Sequence, residues 1–120
     1  MSRSVKIYLQ DIVEAIDAIL EFTKGVPFAA FAVDEKLQAA VQFKLIVIGE
    51  AASKVPANIR KKFPSIEWKK VVGMRNIVAH GYFGVKLELI WDAITRSIIE
   101  IKSKLGDLSD LGDNGERKPP

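Results

Sequence analysis

The sequence predicts an all-α fold, an up-and-down bundle of four long helices and one additional short helix. Apolar residues recur at spacings of three and four over long stretches, as they do along one face of an α-helix. No stretch shows the alternation of apolar and polar residues that is typical of strands, and no internal repeat is present. With 120 residues, 48% of them hydrophobic, the chain can form one domain with its own core.

The first predicted helix is amphipathic. Its apolar face steps by four, three, four and three residues, and acidic and other polar residues stand between the apolar ones. The face consists of Val5, Leu9, Ile12, Ile16 and Ile19. The helix is expected to end near Lys24 and Gly25, with Pro27 beyond, because glycine often ends a helix and proline cannot continue it.

The second predicted helix is apolar on more than one side. Asp34 is expected to cap its start and Pro56 to end it. One stripe is formed by Leu37, Val41, Leu45, Ile48, Ala52 and Val55, and a second set by Ala40, Phe43, Ile46 and Val47. A helix that is apolar nearly all round is buried on more than one face. It is therefore expected either to lie centrally in the bundle or to face a second subunit.

The rest of the chain predicts a short helical turn and two more helices. The turn covers "PANIRKKF", and the third helix should start with Ser65 as N-cap and break at Gly81 and Gly84. The fourth helix buries Leu87, Ile90, Trp91, Ile94, Ile98, Ile101 and Leu105. Residues 107–120 are rich in glycine, proline and charge, so a disordered tail is expected after a helical domain of residues 1–106.

The positive charge is unevenly distributed. The net charge is +3, and residues 1–106 carry 16 basic against 11 acidic residues. Residues 54–75 hold seven basic residues and one acidic residue, Glu67. The basic ones are Lys54, Arg60, Lys61, Lys62, Lys69, Lys70 and Arg75. Such a block is either a solvated helix face or a surface that attracts a polyanion.

Composition excludes several classes of site. The chain has no cysteine and one histidine, so disulfides, thiolate metal sites and histidine-rich metal sites are excluded within one chain. The N-terminal segment carries acidic residues within its apolar pattern, unlike a signal peptide, and no apolar run is long enough for a bilayer. A cytoplasmic protein without membrane contact is expected. The glycines at 73, 81 and 84 do not form a phosphate-binding loop, so no nucleotide cofactor is expected.

Four polar groups stand close together in "GMRNIVAHGYFGV", residues 73–85, namely Arg75, Asn76, His80 and Tyr82. Arg75 offers a fork of donors that suits phosphate oxygens, and His80 titrates near neutrality and can carry a proton. Asn76 can orient an imidazole. These are the parts needed to cleave RNA without a metal, because the attacking nucleophile is the 2′-hydroxyl of the substrate. The same residue types also fit an ordinary helix C-terminus, with His80 favourable against the helix dipole and Gly81 following it.

The spacing of this motif limits its geometry. Asn76 and His80 are four apart and share a helix face. Arg75 and His80 are five apart, which in a continuous helix is about 7.5 Å along the axis and about 140° around it. Either the helix ends before His80, or a second copy of the chain completes the site. Two copies about a two-fold axis would bring two arginines and two histidines to one cleft.

The wider pattern resembles a known family. The segments "YLQDIVEAIDAI", "IGEAASKVP", "IEWKKVVGMRNIVAHGYFGV" and "LELIW", in this order and at these spacings, resemble the HepT-like toxins of the HEPN superfamily. The resemblance covers about residues 5–105, and its most specific part is R-x4-H-x-Y, formed here by Arg75, His80 and Tyr82.

The resemblance implies a homodimeric, metal-independent endoribonuclease that acts as the toxin of a toxin–antitoxin system. Arg75 and His80 map onto the catalytic pair, and Asn76 onto a polar position beside the arginine. The implied partner is a minimal nucleotidyltransferase antitoxin that transfers AMP to Tyr82. RNA, with tRNA and mRNA as candidates, is the implied substrate, and its backbone is expected to contact Lys69, Lys70, Arg60, Lys61 and Lys62.

This chain departs from the family pattern at three positions. Lys86 stands where an aspartate is common, and Phe43 and Ile46 stand where the second helix often carries a charge. Glu50 is either a partner of Arg75 across helices or a partly exposed side chain at a helix crossing eased by Gly49. The alternative function is a catalytically silent helical module that docks or regulates a nucleotidyltransferase.

Overall fold

The computed structural model describes residues 4–81, 87–109 and 111–112, with side chains as far as Ile77 in the first range. These residues form α1 (Val5–Phe22), α2 (Phe28–Phe31), α3 (Glu35–Ser53), α4 (Ala57–Arg60), α5 (Trp68–Val72), α6 (Met74–Gly81), α7 (Leu87–Asp92), a π-helical turn (Ala93–Ser97) and α8 (Ile98–Leu105). The predicted all-α fold is confirmed. Within the described ranges no helix combines the length and the apolar character needed to cross a membrane.

Local capping sets the ends of the first two long helices. Ser4 Oγ accepts a hydrogen bond from the Ile7 N–H at the start of α1. At the start of α3, Asp34 Oδ1 accepts one from the Leu37 N–H at 3.0 Å, which confirms the predicted cap. After α1 the chain turns through Gly25, whose φ of 72° lies in the left-handed region that favours glycine.

Helix α3 lies at the centre of the fold. It packs against α1 and α2, and also against α5 and α6. Its fully buried residues include Val41, Leu45 and Ile48. The predicted central position is therefore confirmed, because an apolar surface that extends nearly round the helix meets several neighbours. Phe43 and Ile46 nevertheless remain 60% and 37% exposed, so part of this apolar surface has no cover within the described chain.

The third predicted helix begins later than expected. The prediction of Ser65 as its N-cap is wrong, because α5 starts at Trp68 and its N-cap residue Glu67 makes no side-chain capping bond. A turn that buries Phe63 and Ile66 occupies the intervening residues. Trp68 packs edge-on against Phe63 with ring centroids 6.4 Å apart. Burial of these apolar side chains therefore decides where the helix can begin.

Helix α6 extends to the first of the two glycines at which the third predicted helix was expected to break. Gly73 separates it from α5 with nearly helical dihedrals, φ −65° and ψ −12°, so the two helices follow almost one path. The helix then runs without interruption from Met74 through Gly81. The alternative in which the helix ends before His80 is therefore wrong, since the backbone of His80 is still helical. Gly84 lies outside the described residues.

The fourth predicted helix is divided by a π-helical turn. The predicted apolar residues Ile90, Ile94 and Ile98 are fully buried there, while Leu87 and Trp91 are partly buried. Trp91 packs against Phe28 and Phe31 of α2 with ring centroids 5.7 Å and 5.2 Å away. The π-helical turn lies between Trp91, which packs on this aromatic cluster, and α8, which packs on the core. Its extra residue per turn allows both contacts to form along one helix.

The packed part of the chain extends beyond the domain boundary expected at residue 106. Leu108 is 8% exposed and Leu111 is 1% exposed, and both belong to the hydrophobic core. Burial of these two leucines stabilises their packing on the core, although the composition of the segment predicts a disordered tail. Asp110 and residues 113–120 lie outside the described residues.

Candidate functional site

A close helix crossing positions the site. Gly49 of α3 lies against the junction of α5 and α6: a Cβ atom placed on it would be 2.8 Å from the Arg75 N and 2.9 Å from both the Arg75 Cβ and the Val72 O. Such distances leave no room for any side chain at residue 49. The absence of a Cβ therefore allows the backbone of Arg75 to pack directly on α3.

Arg75 and Glu50 form an ion pair across this crossing. The Arg75 Nη1 donates to the Glu50 Oε1 at 2.9 Å, and the two side chains are 38% and 54% exposed. The sequence offered two interpretations of Glu50, as a partner of Arg75 and as a partly exposed side chain beside Gly49. The structure shows that both are true. The crossing presents the guanidinium at the surface, where it can meet a ligand.

The other motif residues lie on neighbouring positions of α6. Asn76 is exposed, and its backbone N–H donates to the Gly73 carbonyl at 2.9 Å. The backbone of His80 belongs to the same uninterrupted helix, four residues further on. Asn76 and His80 therefore share a helix face, as predicted. The His80 side chain and Tyr82 lie outside the described part of the structure, as does Lys86.

Arg60 has a role in the fold. Its Nε donates to the Val55 carbonyl and its Nη2 to the Ala52 carbonyl, each at 2.9 Å, at the C-terminal end of α3. Its guanidinium carbon also lies 5.7 Å from the Trp68 ring centroid. A cation at a helix C-terminus satisfies carbonyls that have no partner within the helix. The structure therefore gives Arg60 a capping role beside the predicted RNA contact.

The predicted RNA-binding lysines lie on two exposed segments. Lys61 and Lys62 follow α4, and Lys69 and Lys70 lie on the outer side of α5. All four are exposed, as the prediction of a polyanion-facing surface requires. The segments are joined through the turn that carries Glu67.

Lys70 is paired with that acidic residue. Its Nζ lies 2.7 Å from the Glu67 Oε2. This hydrogen bond, together with the charge attraction, lowers the pKa of Glu67 and raises the pKa of Lys70. The pair stabilises the folded state while both groups are charged. This stabilisation is lost when the pH falls through the lowered pKa of Glu67 or rises through the raised pKa of Lys70. Solvent screening keeps the contribution small.

A groove lies along another side of α5 and α6. It has a volume of about 570 Å³, and its floor includes Val71, Met74, Ile77 and Ile101, while Lys70, Glu100 and Lys104 line its rim. Arg75 is not among its lining residues. The groove and the ion pair of Arg75 therefore represent two separate features of the α5–α6 surface.

The importance of Gly49 and Glu50 for the site is not evident from their local sequence. They stand about 25 positions before Arg75, and no local pattern fixes the register at which two helices meet. A signal was nevertheless present, since a glycine inside a long apolar helix costs helix stability and usually marks a close packing contact. The acidic residue directly after such a glycine is then placed at the crossing.

Comparison with known proteins identifies the family of the chain. A family model described as "Ribonuclease HepT-like" matches residues 12–108. A protein named "Probable ribonuclease HepT", from Thermococcus cleftensis, is 40% identical over 108 residues, which cover 90% of this chain and 98% of that protein.

A second relative comes from Methanocaldococcus jannaschii and is named "Putative RNase MJ1380". It is 37% identical over 103 residues, which cover 86% of this chain and 94% of that protein. No solved structure matches the chain significantly. The family match spans most of the helical domain and includes both helices that form the Gly49 crossing. The chain belongs to the HepT-like ribonuclease family.

Proposed function

We propose that the protein is a metal-independent endoribonuclease, the toxin of a toxin–antitoxin system, which acts as a homodimer with Arg75, His80 and Asn76 at its site. The observation that carries the proposal is the continuous course of α6 from Met74 through Gly81. Five residues along a continuous helix correspond to about 140° around its axis, and this spacing favours a site in which Arg75 of one copy acts with His80 of another. A two-fold partner would supply the missing group.

Each residue has a defined part in the reaction. The 2′-hydroxyl of a ribose attacks the adjacent phosphorus and passes its proton to His80 acting as a base. The phosphorus–O5′ bond breaks, the leaving oxygen takes up a proton from the protonated imidazole or from water, and a cyclic phosphate remains on the upstream fragment. Arg75 stabilises the charge that develops on the phosphate oxygens, and Asn76 orients the imidazole on the helix face that they share. DNA lacks the nucleophile and is not cleaved.

The resemblance extends the proposal to control of the toxin. A minimal nucleotidyltransferase antitoxin would transfer AMP to the Tyr82 hydroxyl, two residues after His80. Each AMP adds a bulky group and a negative phosphate, which would fill the cleft and repel RNA from the cation that should attract it. The guanidinium that would be neutralised in this way is the surface-exposed one of Arg75.

Cleavage by the purified protein in the presence of a chelator tests the proposal. Incubation with total cellular RNA, including tRNA, in excess EDTA should yield fragments with cyclic-phosphate 3′ ends and hydroxyl 5′ ends, which can be mapped by end-specific ligation and sequencing. A matched DNA oligonucleotide should remain intact. If purified protein cuts no cellular RNA under these conditions, the nuclease proposal fails.

The exposed lysines are expected to contribute charge without specificity. Lys61→Ala and Lys69→Ala should each weaken RNA binding to a similar degree for unrelated sequences and reduce the slope of log K against log salt by about 0.7 to 1, because each lysine neutralises about one phosphate. Fluorescence anisotropy with a non-cleavable 2′-deoxy strand at several salt concentrations measures this slope. Lys36→Ala, at an exposed position on the first turn of α3, is the control and should leave the slope unchanged.

Unchanged slopes in both site variants would contradict this placement of the RNA backbone.

Arg60→Ala should differ in kind from the lysine variants, since it removes two hydrogen bonds to the carboxyl end of α3 and should lower the melting temperature.

A further inference from the structure

We propose that Glu50 is a positioning residue for Arg75, one that holds the guanidinium for the scissile phosphate, and this inference rests on the proposed function. The contact joins residues 25 positions apart in the chain, through the Glu50 Oε1 and the Arg75 Nη1 at 2.9 Å. An ionised acceptor and donor at this distance form a charge-assisted hydrogen bond, which is about twice as strong as a neutral one.

The backbone on both sides of this bond is fixed. Gly49 lets α3 touch the backbone of Arg75, so the residue after it, Glu50, is carried to the same crossing. The Glu50 carbonyl also accepts a hydrogen bond from the Ser53 Oγ at 2.6 Å within α3. The carboxylate is therefore supplied from a packed helix, which makes it a suitable anchor for a long and flexible arginine side chain.

The bond leaves most of the guanidinium available. Arginine has five N–H donors in a planar fork, and Glu50 engages one terminal nitrogen, Nη1. Within the described part of the chain, the Arg75 guanidinium has no other hydrogen-bonded partner. With 38% of its side chain exposed, the remaining donors can meet two oxygens of a phosphate while Glu50 holds the plane of the fork.

A carboxylate beside a phosphate-binding group has two opposite effects on the reaction. It orients the arginine, which favours turnover because small misplacements of a catalytic group are costly. It also repels the RNA backbone, which disfavours binding. Removal of its charge should therefore lower kcat while KM for RNA stays the same or falls. A merely structural ion pair would produce no such split between the two constants.

Glu50→Gln tests this role, because it keeps the size of the side chain and removes the charge. We expect kcat for RNA cleavage to fall about tenfold with KM unchanged or lower. The matched control is Asp17→Asn, which breaks an ion pair with Lys102 between α1 and α8. That pair is similarly exposed, at 50% and 46%, and lies on helices outside the proposed site. The control variant should keep the wild-type kcat and KM.

Two further measurements separate this inference from the proposed function. If Arg75→Ala is inactive while Glu50→Gln retains the wild-type kcat or exceeds it, the positioning role alone is overturned. If wild type cleaves no RNA, the proposed function fails and the catalytic part of this inference fails with it. ¹⁵N NMR of the arginine side chains then still reports whether Glu50 restrains Arg75. Slow rotation of the Arg75 Nη groups should be seen in wild type and lost in Glu50→Gln, and its absence from wild type would overturn the restraint itself.

Discussion

Arg75→Ala is expected to lower kcat/KM for RNA cleavage by about 100- to 1,000-fold while the fold remains intact. The magnitude is that of removing one pre-oriented donor from a site where negative charge develops. The fold should survive because the side chain is 38% exposed and its ion pair with Glu50 is at the surface, where such pairs contribute little to stability. Steady-state cleavage of a labelled RNA measures the effect, and circular dichroism confirms the helix content.

The control for this variant is another arginine in an exposed ion pair. Arg96→Ala removes a partner of Asp92 at 3.5 Å, on a side chain that is 76% exposed, and should leave cleavage unchanged. His80→Ala should be as inactive as Arg75→Ala, since loss of a general base or acid costs about 100- to 10,000-fold. Activity of Arg75→Ala equal to that of wild type would instead favour the catalytically silent binding module.

A mixture of the two inactive variants tests whether the site is shared between copies. If Arg75 of one copy acts with His80 of the other, a mixed dimer contains one intact site. Random exchange of equal amounts of both variants should then restore about a quarter of the wild-type activity. If each copy works alone, no mixture regains activity. Recovery after co-refolding therefore distinguishes a composite cleft from two independent sites.

Gly49→Ala is expected to destabilise the protein by about 1–3 kcal/mol. The added Cβ would lie 2.8–2.9 Å from the backbone of Arg75 and Val72 and from the Arg75 Cβ, none of which can rotate away. The helices must therefore separate, although alanine is by itself favoured over glycine within a helix. Urea denaturation followed by circular dichroism gives the free energy of unfolding.

An alanine-to-glycine substitution on the exposed side of the same helix is the reference for the effect of helix propensity alone. Ala39→Gly introduces glycine at an exposed position of α3, so it measures helix propensity without a packing contact and should cost about 1 kcal/mol. Gly49→Ala should also lose RNA cleavage beyond the loss of folded protein, because it displaces the backbone of Arg75. A variant as stable as wild type would contradict the close approach of α3 to the α5–α6 junction.

The features that the sequence predicted correctly depend on neighbouring residues. Asp34 caps α3 because its carboxylate bonds to an N–H three residues away. The central position of α3 followed from apolar residues on several of its sides. The family followed from the order of motifs around Arg75, and the family comparison agrees with it.

The features that could not be predicted depend on contacts between distant residues. The π-helical turn lies where Trp91 meets Phe28 and Phe31, about 60 positions earlier. The late start of α5 reflects burial of Phe63 and Ile66, which overrides the capping preference of a serine. The pair between Glu50 and Arg75 could be offered from the sequence only as one of two alternatives, because the periodicity of one helix does not fix its register against another.

The burial of Leu108 and Leu111 sets a practical limit on how the protein can be shortened. A truncation after the last helix, at Gly106, would remove two leucines from the interior and expose the apolar surfaces they cover. Tags, fusion partners and engineered linkers at this end therefore belong after residue 112. An inactive or aggregated shortened form would report lost packing and would say nothing about catalysis.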